Sequence, residues 1–170
     1  MILLAILTLT LAASSLQAQQ VADLAPQWRV QNVTKPGSCG HCSTAMQLNW
    51  LQEFGKAKQW MGRYRYGERW HRHLERLRNE GIKYVATSDG DARILDYAIR
   101  SRRGAVVYWP QWHIVNFQGQ VGSDIIILDN NRIRRMERHE RNQWVQRWRR
   151  VSGCAFVILS GSPPPPVPEA

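Results

Sequence analysis

The chain has 170 residues and a formal net charge of +10, and 19 of its 23 basic residues are arginines. About 150 residues remain after an apolar N-terminus, which is enough for one domain with a hydrophobic core. Because the arginines are spread along helical patterns and no aromatic RNA-binding signature accompanies them, we expect no specific nucleic-acid partner. A solvated basic surface that contacts anionic polymers remains open.

The N-terminus resembles a secretory signal peptide. Residues 1–13 are apolar apart from two threonines, and small and polar residues follow, so cleavage is predicted near Ala18. We therefore expect export to the periplasm or the medium, or tethering to the membrane if the segment is not cleaved. The predicted boundaries are a signal peptide (1–18), a polar leader (19–26), one domain (27–160) and a Pro-rich disordered tail (161–170).

Hydrophobic periodicity and turn residues divide the domain into helices first and mostly strands later. Helices are predicted over 40–54, 56–66, 68–80, 92–101 and 140–149. Strands are predicted over 27–33, 82–86, 105–109, 112–117, 125–128, 132–136 and 154–159. Because the later strands follow one another with short turns, the order indicates an α+β fold with an antiparallel sheet.

A Gly/Ser turn with two cysteines leads directly into the first helical pattern. Cys39 and Cys42 are one helical turn apart, and Met46 and Trp50 continue the same face. Cys39 is therefore predicted at the first turn of a buried helix, where unpaired backbone N–H groups and the helix dipole favour a thiolate. A nucleophilic cysteine needs this placement.

A base and an orienting acid are found farther along the chain. His113 begins an apolar strand, and Asp129 directly follows the next one. Two adjacent antiparallel strands place the start of the first beside the end of the second, so these side chains can meet. A thiol, an imidazole and a group that orients the imidazole are the parts of a cysteine-nucleophile site.

These motifs resemble those of bacteriocin-processing (double-glycine) peptidases. The run Cys-Gly-His-Cys-Ser-Thr-Ala-Met is similar to the Cys-Gly-Pro-Ala-Ser/Ala-Leu-Ala-Met helix start of that family. His-Ile-Val-Asn-Phe and the following Ile-Ile-Ile-Leu-Asp are similar to its His strand and its Val-Ile-Asp-Pro segment. The resemblance implies a papain-like cysteine proteinase fold, with a central N-terminal helix packed on an antiparallel sheet.

The same resemblance implies the roles. Cys39 would be the nucleophile, His113 the general base and Asp129 the orienting acid of an exported hydrolase or transpeptidase. It would cleave amide bonds through a thioester, on a peptide or a cell-envelope peptide, as a monomer without a cofactor. The family's oxyanion-stabilising glutamine falls nearest to Gln31 and Asn32.

Other interpretations remain open. Similarity to papain's Gly-Ser-Cys-Gly-Ser-Cys-Trp would make Cys42 the nucleophile and Asn130 the third member. Cys-Gly-His-Cys is also the active-site tetrad of protein disulfide isomerases, which would make the chain a thiol-disulfide oxidoreductase. A Cys42–Cys154 disulfide would leave Cys39 as the unpaired thiol.

A non-catalytic papain-fold binding domain is a further alternative, as is a zinc site. Zinc could combine Cys39 and Cys42 with His113, His139 or Cys154, but no second paired cluster exists and no metal site is assigned. His71 and His73 lie on a basic helical face and are predicted to be solvated.

Overall fold

The structure is a computed structural model that describes residues 30, 37–109, 113–131, 136–151 and 153–164. The predicted signal peptide and leader lie outside these residues, as does the strand at 27–33 apart from Val30. Within them, the helices are α1 (Cys39–Trp50), α2 (Phe54–Arg63), α3 (Trp70–Asn79), α4 (Arg93–Arg100) and α5 (Arg141–Val151). The strands are β1 (Tyr84–Thr87), β2 (Ala105–Trp109), β3 (His113–Val121), β4 (Asp124–Leu128), β5 (Met136–Glu140) and β6 (Ala155–Ile158).

The six strands form one sheet in the order β1-β6-β2-β3-β4-β5. Each neighbouring pair is antiparallel, and β2, β3, β4 and β5 follow one another as a meander. The last strand enters between β1 and β2, so the C-terminal part of the domain completes the sheet. The predicted α+β class with an antiparallel sheet is confirmed.

Helices cover both faces of the sheet, because the central strands are apolar at nearly every position. On β2, Val106 packs with α1, α2 and α3, whereas Val107 packs with α4 and α5. Successive residues of a strand point to opposite faces, so a continuous apolar run needs a covering layer on each side. Trp144 and Trp148 of α5 fill the second layer, as their spacing predicts.

The helix α1 is enclosed on all sides. Its first ten residues, from Cys39 to Leu48, are all buried. It packs against β2 and β3 on one side and against α2 on another. Leu48, Leu51 and Trp60 form the contact between α1 and α2, each at most 1% exposed.

Several boundaries differ from the predictions. The first helix ends at Trp50 rather than near residue 54, because Gln52 adopts a left-handed conformation with φ of 63°. The last helix begins at Arg141 because the carboxylate of Glu140 accepts hydrogen bonds from the backbone N–H groups of Asn142 and Gln143, both at 2.8 Å. The helix then extends to Val151.

The strands of the meander also differ from the predictions. A register shift between Phe117 and Gly119 lets β3 continue to Val121, where a loop was predicted. The predicted strand at 132–136 overlaps β5 at Met136, which pairs antiparallel with Leu128, and β5 continues to Glu140, beyond the predicted end. The intervening residues 132–135 lie outside the described residues.

The folded part reaches beyond the predicted domain end. The backbone N–H of Ser162 donates a hydrogen bond to the carbonyl of Leu51 at 3.0 Å, and Arg102 Nη2 donates to the carbonyl of Pro164 at 2.6 Å. The first four residues of the predicted tail therefore lie against the domain, and 165–170 lie outside the described residues. No helix in the described ranges has the length and apolar character that a membrane span requires.

Candidate active site

Cys39 is the first residue of α1, as predicted. Its side chain is mostly buried, with 6% of the residue exposed. The turn before it packs closely on another turn, since a Cβ on Gly67 would lie 2.6 Å from the carbonyl oxygen of Gly37. Only glycine fits at this contact, which fixes where the helix starts.

The sheet brings His113 and Asp129 together. Asn116 of β3 pairs with Leu128 of β4, so the first residue of β3 lies beside the residue that follows β4. His113 Nε2 is 2.7 Å from Asp129 Oδ1. The same carboxylate oxygen accepts the backbone N–H of Asn131 at 2.8 Å, which fixes its orientation.

Cys39 completes this arrangement. Burial tends to lower the pKa of His113, but hydrogen bonds to Asp129 and to the Cys39 side chain outweigh that effect and raise the pKa from 6.5 to about 9. The ring therefore carries both of its protons at neutral pH. With Nε2 directed at Asp129, Nδ1 is the nitrogen that remains for the sulfur.

Cys42 is in a different environment. It is 1% exposed, and burial raises the pKa of its thiol from 9.0 to about 11. None of the three cysteines forms a disulfide, so the Cys42–Cys154 bridge considered from the sequence is not formed. The geometry therefore favours Cys39 over Cys42 as a nucleophile.

Asn130 holds the start of α1 against β3. Its Nδ2 lies 3.1 Å from the carbonyl oxygen of Cys39, 2.7 Å from that of Ile114 and 2.8 Å from Ser43 Oγ. The side chain is fully buried. It joins the backbone of the cysteine to the residue after His113, whereas Asp129 is the residue that contacts the imidazole.

Three more polar residues in this seam were not identified from the sequence. Ser43 Oγ donates to the carbonyl of Ile114 at 3.0 Å, and Asn116 Nδ2 donates to the carbonyl of Ser43 at 2.9 Å and to Gln47 Oε1 at 3.1 Å. The signal was available: Asn116 interrupts an apolar strand, and Ser43 and Gln47 are four residues apart on one helical face. The oxyanion candidates Gln31 and Asn32 lie outside the described residues.

The predicted solvated position of His73 is wrong, because that residue is 2% exposed. It lies between Trp70 and Leu77 on the buried stripe of α3, at a spacing that fits the helical period. His71 is exposed, as predicted. Among the described residues, the metal-compatible cluster consists of His41, Glu68 and His73, and neither Cys39 nor Cys42 belongs to it.

No family model and no curated protein matches the chain. Solved structures do match it. One is a double-glycine-motif protease from an AMS/PCAT transporter in complex with the leader peptide: it is 17% identical, the match covers 80% of this chain and 91% of that one, and the TM-score is 0.52. Another is the peptidase domain of Streptococcus ComA, a bi-functional ABC transporter involved in a quorum-sensing pathway: it is 16% identical, with 81% and 99% coverage and a TM-score of 0.54.

The chain has the fold of a papain-like peptidase domain. The resemblance seen in the sequence is thereby confirmed at the level of the fold. The redox interpretation of Cys-Gly-His-Cys depends on a thioredoxin-like domain around the motif. The papain-like fold does not provide that setting, because the motif here begins a helix enclosed between a second helix and an antiparallel sheet.

Proposed function

We propose that this papain-like domain is a cysteine peptidase-like hydrolase with Cys39 as nucleophile, His113 as general base and acid, and Asp129 as the group that orients the imidazole. One observation carries the proposal: the imidazole of His113 lies 2.7 Å from the carboxylate of Asp129, and its pKa is raised both by that carboxylate and by the side chain of the cysteine that begins the central helix. A nucleophile, a base and an orienting group in this relation form a catalytic triad.

In the proposed reaction, Cys39 reacts as a thiolate beside the imidazolium of His113. The thiolate attacks the carbonyl carbon of the substrate, and the developing oxyanion lies near the N-terminus of α1, where backbone N–H groups point outward. His113 gives its proton to the leaving amine as the C–N bond breaks, which leaves a thioester on Cys39. Water then attacks the thioester, His113 takes the proton of that water, and the acid product and the thiolate are released.

The substrate proposed is a peptide. The AMS/PCAT protease is in complex with a leader peptide, and a peptide of this kind is the first substrate to test here. Cell-envelope peptide crosslinks are the second, in which case an amine could replace water in the last step. Asp129 would keep the ring aligned in both reactions.

Alkylation tests the nucleophile without knowledge of the substrate. The purified chain is treated with limiting iodoacetamide at pH 7, and the labelled cysteine is identified by peptide mapping. We expect selective labelling of Cys39, slowed at least tenfold by His113→Ala, because the imidazolium stabilises the thiolate. The matched variant His139→Ala changes a histidine of β5 and should leave the rate unchanged.

Hydrolysis of leader-type and crosslinked peptides is measured in parallel. Cys39→Ala should abolish cleavage, whereas Cys42→Ala should retain it. Cleavage that survives Cys39→Ala but is lost in Cys42→Ala would make Cys42 the nucleophile. No cleavage by the wild type, together with labelling that His113→Ala does not slow, would favour the non-catalytic binding domain. A Cys39–Cys42 disulfide that cycles with dithiothreitol would favour the oxidoreductase.

We also propose that the chain is exported, on the pattern of residues 1–18 alone. A fusion of those residues to a reporter that is active only outside the cytoplasm tests this. Export with cleavage near Ala18 would agree with the proposal. An uncleaved, membrane-bound product would indicate the tethered alternative, and a cytoplasmic product would contradict export.

A further inference from the structure

Two buried histidines and a buried carboxylate meet beneath the start of α1. His41 and His73 are 1% and 2% exposed, and the side chain of Glu68 is 7% exposed. Glu68 Oε1 lies 3.4 Å from His41 Nε2 and 3.2 Å from His73 Nδ1. His41 is two residues after Cys39, which on a helix is nearly the opposite side, so the proposed catalytic reaction does not use this cluster.

The hydrogen-bond partners of His73 show which of its nitrogens carries the proton. Thr44 Oγ1 donates its single hydrogen to the carbonyl of Gly40 at 2.9 Å, so it must accept from His73 Nε2, at 2.8 Å. In a neutral ring, His73 Nδ1 is then a lone pair that faces the carboxylate oxygen. Among the described residues, Glu68 Oε1 is buried without an aligned hydrogen-bond donor.

In this arrangement two electron-rich atoms, His73 Nδ1 and Glu68 Oε1, face each other. A cation bound between them would remove this repulsion, and the distances match those of a zinc ion. Ligands about 2.1 Å from a tetrahedral zinc ion are separated by about 3.4 Å. The two measured separations, 3.4 and 3.2 Å, agree with such an edge. His41 Nε2–H donates a hydrogen bond to the carbonyl oxygen of Tyr66 at 2.9 Å, so metal binding requires that this proton move to Nδ1; Nε2 and the carbonyl oxygen then both face the ion, and the oxygen is close enough to serve as a fourth ligand.

The surrounding groups hold His73 and Glu68 as the outer contacts of a metal site do. Thr44 fixes the ring of His73 from its far nitrogen, and Arg76 Nε donates to Glu68 Oε2, which leaves Oε1 directed at the histidines. Gly40 leaves room for the ring, since a Cβ there would lie 3.4 Å from Cε1 of His73.

We propose that His41 Nε2, His73 Nδ1 and Glu68 Oε1 bind one zinc ion, with the carbonyl of Tyr66 completing a closed structural site. The ion joins α1, the segment between α2 and α3, and α3. It therefore secures the helix that presents Cys39 from the side opposite the sulfur, and it takes no part in the reaction.

Metal uptake by the full chain tests the proposal, in a Cys39→Ala background that removes the pair of Cys39 and His113 as a competing site. The protein is stripped with a chelator and dialysed against zinc, and bound metal is counted by mass spectrometry. We expect one zinc per chain and a rise in the unfolding midpoint of about 5–10 °C at a hundredfold excess over the Kd. Glu68→Gln should weaken binding at least tenfold, whereas His71→Gln, on the exposed side of α3, should not.

Binding of cobalt(II) gives a second measurement, which does not depend on whether the Glu68→Gln variant folds. Substitution with cobalt should give a visible spectrum of nitrogen and oxygen ligands, without the charge-transfer band of a thiolate. A thiolate band, no stoichiometric uptake, or full uptake by Glu68→Gln would overturn the proposal. In the last two cases the cluster would instead be joined by a proton on His73.

Discussion

Asp129→Asn should change the protonation of His113 more than it changes the shape of the site. The two side chains are isosteric, but the variant removes the negative charge 2.7 Å from the imidazole. The rise in the pKa of His113 from 6.5 to about 9 corresponds to roughly 3 kcal/mol of preference for the charged ring, at about 1.36 kcal/mol per pH unit. Part of that preference comes from Cys39 and not from Asp129. Solvent screens a further part, because 18% of the His113 side chain is exposed.

We therefore expect the pKa of His113 to fall by about 1–3 pH units in Asp129→Asn. The effect on stability has a defined sign. Because the folded-state pKa of His113 is raised, the stabilisation is fully present below the unfolded value of 6.5 and is lost as the pH rises through about 9. The free energy of unfolding of the variant should thus fall below that of the wild type by about 1–3 kcal/mol near pH 6, and the difference should shrink by pH 10.

Nuclear magnetic resonance titration of the histidine rings measures the pKa, and urea unfolding at pH 6 and pH 10 measures the stability. Asp124→Asn is the matched control, because it makes the same chemical change at the other end of β4. If the pKa of His113 stays near 9 in Asp129→Asn, or if the stability difference grows with pH, the carboxylate does not set the charge of this imidazole. The basic limb of any hydrolysis profile should move to lower pH with the same variant.

Two further substitutions test how the site is positioned. Asn130→Ala removes the amide that joins the backbones of α1 and β3, and should lower the free energy of unfolding by about 1–3 kcal/mol and slow alkylation of Cys39; unchanged stability in urea would mean that the amide does not hold this seam. Gly67→Ala places a Cβ 2.6 Å from the carbonyl oxygen of Gly37 and should cost about 1–3 kcal/mol, whereas Gly62→Ala, with open space around it, should gain up to about 1 kcal/mol. Equal melting temperatures of the two alanine variants would contradict the close contact.

The sequence predicted the features that depend on neighbouring elements of the chain and on the residues at their ends. The meeting of His113 and Asp129 was predictable because it depends only on two neighbouring antiparallel strands and on which residues end them. The first turn of α1 was predictable because Gly37 and Ser38 precede a long helical pattern.

The remaining features depend on tertiary contacts. The continuation of β5 to Glu140 was not predicted, because these charged residues take the strand conformation by pairing with β4. His73 was misjudged because arginines surround it along the chain, although it shares a face with Leu77. Asn130 and Asn116 were not recognised as a bridge between α1 and β3, because the acceptors of their amides are far away in sequence.

The enclosure of α1 separates the chemistry of this molecule from its exterior. Ten consecutive residues that begin with Cys39 are buried, and Cys39 itself keeps 6% of its surface exposed. Charged surface residues that contact none of these ten can therefore be replaced without changing the packing around the thiol. Substitutions inside the helix have no such freedom, because every direction from its axis is already occupied.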